Sequence, residues 1–186
     1  MQELLNARKV VECLTRLGEL LVELEVQSVV RILIIGGAYM ITQIQNRATT
    51  MDIDVLVYLE RGTEDYRKLL IAVSYVAVEK HVDYHWLSDG IGDLMKAAAV
   101  GQVPEGKLWL KHGLLEAYIP EPRYILALKL LAGGRTKDIG DVQTFFQMFG
   151  IKNRKQAEKL LRKYFSRQAL EVYAPEIEES FRVFLS

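Results

Sequence analysis

The chain has 186 residues, half of them apolar, which suits one compact domain or one domain with a helical extension. Lysine plus arginine equals aspartate plus glutamate at 24 each, so no global charge draws it toward nucleic acid or membrane, and such a partner has to be met by a local patch. The single cysteine, Cys13, excludes an internal disulfide and fits a reducing, cytoplasmic location. The stretch MQELLNARKVVEC alternates charged and apolar residues and is not expected to be a signal peptide, and no run of about eighteen apolar residues reaches membrane-spanning length.

In chain order, residues 3–25 place Leu4, Leu5, Val10, Val11, Leu14, Leu17, Leu21 and Leu24 at helical spacing, which predicts an amphipathic helix. Residues 29–35, VVRILII, are β-branched and apolar and end at Gly36-Gly37, so they read as a buried strand. A short helix is expected over 38–45 and a second strand over 52–58, DIDVLVY. Thr63 caps a helix that runs to about residue 80, with Glu64 and Asp65 in its first turn. HVDYHWLSDG reads as irregular or partly strand, and 90–100 as a helix. Residues 107–119 read as two strands around His112-Gly113. Pro120 and Pro122 open a helix through Leu131 that Gly133-Gly134 stops. A helix over 136–149 closes at Gly150, Asn153 with Gln156 opens another to about 165, and Pro175 begins a short terminal one. The expected fold is α+β: a core over 1–120 with a mixed sheet flanked by helices, and a C-terminal helical subdomain over 121–186.

The chemistry starts at Asp52 and Asp54. Residues two apart on a strand share a face, here with Leu56, and their Cα atoms lie about 6–7 Å apart. Two carboxylates on an otherwise apolar strand repel, and a hard divalent cation relieves that by taking one or two carboxylates plus phosphate oxygens. The structural alternative is a capped turn or a pairing with Arg47. Gly36-Gly37 leads from the previous strand into a helix, where bare backbone lets a phosphate approach; the plain alternative is a tight turn. Neither a Walker A loop nor G-x-G-x-x-G is present. In the block LALKLLAGGRTKDIGD (126–141), Lys129 stands among core-facing leucines, so its ammonium must reach an anion or snorkel to solvent. Asp138 and Asp141 are three apart in the first turns of the next helix, where the helix dipole alone favours carboxylates.

The order GG (36–37), RATT (47–50), DID (52–54), followed by LALKLLAGGRTKDIGD and the fragment WLSD (86–89), resembles polymerase-β-type nucleotidyltransferases. Within them it is similar to the toxin-like enzymes of the abortive-infection family and their bacterial and archaeal relatives. The resemblance covers roughly 30–145. It implies a nucleotidyltransferase-type sheet, with Asp52 and Asp54 as ligands of Mg²⁺ or Mn²⁺ and a nucleoside triphosphate as substrate. It also implies Gly36 and Gly37 at the triphosphate, Arg47 and Thr50 beside the nucleotide, Lys129 on phosphate, and Asp138 completing the site with Arg135 and Lys137. An RNA or tRNA end as acceptor and a cognate antitoxin as protein partner follow from the same likeness. Arg47 and Asp52 stand one residue further apart than in the family's R-x-T-x-D. Glu116, Asp138 and Asp141 are the candidates for a third carboxylate.

His81 and His85 are four apart, a zinc-like spacing only on a helix, and no third ligand is evident. Cys13 reads as buried in its helix. Lys152, Arg154, Lys155, Lys159, Arg162, Lys163 and Arg167 against the single acid Glu158 make a basic helical face, which tracks a phosphate backbone or is simply solvated. Three functions compete: nucleotidyl transfer, a silent nucleotide- or protein-binding module of the same fold, and a phosphohydrolase, which normally adds H-D pairs.

Overall fold

The computed structural model describes residues 4–89 and 103–185; the helix expected over 90–100 lies outside the described residues. The described chain forms two compact units that part at Ile119 and Pro120. The first holds 4–89 and Gly106–Ile119, and the second holds 103–105 and 120–185.

In the first unit, α1 (Ala7–Glu23) starts where the Asn6 side chain accepts from the Lys9 N–H and buries Val10, Cys13, Leu14, Leu17 and Leu21. It packs on α3 (Glu64–Lys80) and on the hairpin of β4 (Lys107–His112) and β5 (Leu115–Ile119). Arg16 of α1 ties the helices together: Nε meets Glu79 at 2.7 Å and Nη1 meets Glu23 at 2.7 Å. These carboxylates, with Glu19, hold the guanidinium charged far above its ordinary range. The remaining strands are β1 (Val30–Ile34), β2 (Ile53–Val57) and the two-residue β3 (Leu87–Ser88). The sheet order is β3-β2-β1-β5-β4, with β1/β2 and β4/β5 antiparallel and β1/β5 and β2/β3 parallel. The sequence expectation of an α+β chain with a mixed sheet and helices matches this architecture.

Register decides which side chains share a face. Arg31 opposes Glu116, Leu33 opposes both Leu56 and Tyr118, and so Arg31, Leu33, Asp54, Leu56, Glu116 and Tyr118 project from one side. Val30, Ile32, Ile34, Ile53, Val55, Leu115 and Ala117 project from the other and are all buried. Trp86 anchors β3: it is fully buried, its Nε1 donates to the Val73 carbonyl at 2.9 Å, and its carbonyl accepts from Ile53 at 2.6 Å. Asp89 closes the same edge, accepting from Val57 N–H at 3.2 Å and from Arg61 Nη2 at 2.9 Å.

In the second unit, α4 (Pro122–Leu131) is central and touches α5 (Ile139–Phe149), α6 (Arg154–Tyr164) and α8 (Ala174–Phe184). The helix expected over 136–149 begins instead as a 3₁₀ turn, Thr136–Asp138, before α5 proper. One more short helix, α7 (Arg167–Val172), is capped by Ser166, whose Oγ accepts from Ala169 N–H at 3.1 Å. Among the described residues, no helix is long and apolar enough to cross a membrane.

Candidate nucleotide site and the buried lysine network

Gly36 ends β1 with φ +62°, the left-handed region that an L side chain rarely adopts. A Cβ there would fall 2.8 Å from Cγ and 2.9 Å from Cβ of Asp54, and closer still to Asp54 Oδ2. A Cβ on Gly37 would collide with Thr50 Oγ1, fall 3.1 Å from Thr50 Cβ and lie 3.7 Å from Arg47 Nη1. The two missing side chains are therefore what lets Asp54, Thr50 and Arg47 close on the turn. Five of the residues singled out from sequence, Gly36, Gly37, Arg47, Thr50 and Asp54, meet at this one place, and Asp52 stands one residue before β2.

The backbone holds the arrangement from three directions. Ile35 N–H donates to the Asp54 carbonyl at 2.9 Å. Thr50 exchanges both backbone hydrogen bonds with Leu5, at 2.8 and 2.9 Å, in an isolated bridge that ties the segment ahead of α1 to the site. From Gly36, helix α2 (Gly36–Tyr39) runs on as a π-turn, Met40–Ile44, earlier than the expected start at 38. Such widened turns are frequent at functional sites. It ends at Gln45 in the left-handed region, whose N–H reaches the Met40 carbonyl at 2.7 Å. Burial pushes the Tyr39 phenol at the end of α2 up to about 12, so it stays neutral.

Among the described residues no group of three His, Cys, Asp or Glu gathers around a common point. An ion held by Asp52 and Asp54 needs its other ligands from phosphate and water, which is the habit of Mg²⁺ and not of a closed zinc site.

Glu116 shares the face of Asp54 but stands at the opposite end of β1. It opposes Arg31, while Asp54 hydrogen-bonds at Ile35, four residues on, roughly 13 Å at about 3.3 Å per residue. Its oxygens are taken by Lys111 Nζ at 2.8 Å, the Tyr118 hydroxyl at 2.9 Å and Arg31 Nε at 3.4 Å. Lys111 and the Tyr118 hydroxyl hold the carboxyl below its ordinary value. A depressed folded-state pKa contributes stability that is present above the ordinary glutamate value and lost as pH falls through the folded one. Glu116→Gln is therefore expected to flatten the decline of the melting temperature below about pH 4, read by thermal unfolding at stepped pH; an unchanged slope would show the cluster to be inconsequential.

The 126–141 block forms its own assembly in the second unit. Lys129, only 5% exposed, places Nζ 2.6 Å from Asp138 Oδ1 and 2.7 Å from Asp141 Oδ2. Arg135 Nε binds the other oxygen of Asp138 at 2.9 Å. Two cations thus face two nearly fully buried carboxylates. The ammonium neither snorkels nor waits for an outside anion; the two aspartates are its anions. The spacing of Asp138 and Asp141 signalled a shared face, but not that Lys129 would fill it. Lys137 is exposed on the 3₁₀ turn between Arg135 and Asp138. His81 is the left-handed cap that ends α3, so the helical face needed to pair it with His85 does not exist. No protein-family model, curated protein or solved structure matches this chain.

Proposed function

We propose that the chain is a metal-dependent nucleotidyltransferase of the polymerase-β type, moving a nucleotidyl group from a nucleoside triphosphate to an acceptor hydroxyl. The observation that carries this reading is the packing of Asp54, Thr50 and Arg47 against Gly36-Gly37 at one end of the sheet. Asp52 and Asp54 would hold Mg²⁺ or Mn²⁺, which when bound supplies Lewis-acid activation of the α-phosphate. Gly36 and Gly37, having no side chains, let Asp54, Thr50 and Arg47 gather at the turn where the triphosphate would be held. Arg47 brings a fixed positive charge to that wall, suited to the charge that grows on departing pyrophosphate, and Thr50 adds a hydroxyl beside Gly37. Within the second unit, the Lys129–Asp138 ion pair and the Arg135–Asp138 pair order the turn that carries Arg135 and Lys137. An RNA or tRNA end as acceptor, and an antitoxin as partner, belong to the same proposal through the family likeness.

The test is incubation with labelled triphosphates, Mg²⁺ and total RNA, beside Asp52→Asn and Asp54→Asn. The parent chain is expected to label an acceptor and release pyrophosphate, and each variant to lose both while melting as the parent does. Transfer that survives both substitutions overturns the assignment. One observation favours a second reading, a nucleotide-binding module without turnover: Glu116, the strand carboxylate nearest in type to a third ligand, is engaged by Lys111, Tyr118 and Arg31 at the far end of the sheet. Triphosphate binding that ignores Mg²⁺ and releases no pyrophosphate would select the module.

A further inference from the structure

Helix α6 sorts its charges by stripe. Arg154, Glu158 and Arg162 follow one another at four-residue spacing and neutralise each other, with Glu158 2.8 Å from Arg154 Nε and 3.5 Å from Arg162 Nη2. Glu178 of α8 binds Arg154 as well, and Arg167 pairs with Glu171 at 2.8 Å. Lys155, Lys159 and Lys163 follow at the same spacing on the next stripe, about 6 Å apart along the axis, with no acid among them. Like charges at that spacing destabilise a helix. Lys163 reaches Glu121 and the Tyr164 hydroxyl, both at 2.9 Å, but Lys155 and Lys159 have no ion-pair partner among the described residues.

A depression of about 310 Å³ opens beside this stripe. Its cations are Arg123, Lys159 and Lys163, its apolar floor is Phe149, Ile151 and Leu160, and no acid lines it. Phe149 stacks on Phe145 with centroids 5.9 Å apart and planes at 6°, and the Arg123 guanidinium lies 4.8 Å from the Phe149 centroid. The stretch 152–167 carries few aromatics of its own, so it is the fold of the second unit that delivers an aromatic to the lysines.

We propose that this face binds single-stranded RNA, with backbone phosphates along Lys155, Lys159 and Lys163 and a base on the Arg123 guanidinium plane that lies over Phe149. A repeating row of lysines is matched by a repeating charge, and lysine reads phosphate as a point charge without sequence demands. The Phe149–Arg123 pair is the kind of platform on which unpaired bases stack. The proposal names a surface for the acceptor and rests on the transferase reading only for that role; the binding itself stands apart from it.

The test is fluorescence anisotropy of a labelled 12-nucleotide RNA with the full chain, without triphosphate, over a range of salt. Lys159→Gln is expected to reduce the salt slope by about one and Lys155→Gln/Lys159→Gln/Lys163→Gln to weaken binding at least about tenfold, with Arg162→Gln close to the parent. Phe149→Leu should weaken binding at unchanged salt slope. Melting curves establish that each variant is folded. Equal losses from Arg162→Gln and Lys159→Gln overturn the stripe. Poly-glutamate bound as tightly as the RNA overturns it in favour of an acidic protein, and DNA of the same sequence bound more tightly overturns the choice of RNA. Asp54→Asn is expected to bind RNA normally, so a failed RNA assay and a failed transfer assay stay separate results.

Discussion

Lys129→Met is expected to destabilise the helical unit by about 3–5 kcal/mol, because it removes one partner of a buried ion network and leaves the carboxylates behind. Asp138 and Asp141 are 2% and 1% exposed, so water cannot replace the ammonium that lies 2.6 and 2.7 Å from their oxygens. Arg135 still serves Asp138, but from an exposed position. For a unit of this size the loss corresponds to a fall of roughly 10 °C or more in melting temperature. The triple variant Lys129→Met/Asp138→Asn/Asp141→Asn is expected to recover a large part of it, since charges and counter-charge leave together. Urea titrations of the three proteins decide the matter. If the triple variant is no more stable than the single one, the penalty comes from packing and the network account fails.

On the proposed nucleotidyltransferase reading, Gly36→Ala is expected to weaken Mg²⁺-dependent triphosphate binding by about a hundredfold, although it alters no acid and no base. Two effects coincide there. At φ +62° an alanine carries roughly 1–2 kcal/mol of backbone strain, and its Cβ would strike the Asp54 carboxylate, which must then move off the turn. Stability should fall by the strain and by a further penalty for displacing Asp54. Calorimetric titration of the variant beside Asp54→Asn makes the comparison. Binding like the parent's would mean that the position of Asp54 is not set by the glycine.

Much of the fold is written locally and could be read from the chain. The β-branched run before Gly36-Gly37, the Thr63 cap, the hairpin at His112-Gly113 and the Gly133-Gly134 stop each depend on residues within a few positions of one another. The convergence of Gly36, Gly37, Arg47, Thr50 and Asp54 was legible as a pattern, but its physical content, a carboxylate pressed onto a glycine that has no side chain, exists only once β1 and β2 pair. The partners of Lys129 were not legible, because apolar periodicity says that a lysine is in the core and not which helix supplies the anion. Helix α7 was too short to show a period, leaving Ser166 as its one signal. The π-turn after Tyr39 had no signal at all. Phe149 next to the lysines is a tertiary meeting of two helices, which a scan for aromatics within the basic stretch could not find.

The Leu5–Thr50 bridge gives the beginning of the described chain a mechanical connection to the glycine turn. Thr50 has both of its backbone groups committed to a residue that lies just ahead of α1, with no strand neighbours to share the load. Displacing Leu5 would free the Thr50 backbone, and the Thr50 side chain that packs against Gly37 would loosen with it. The placement of Thr50 against Gly37 is in this way set in part by a residue more than forty positions earlier in the chain.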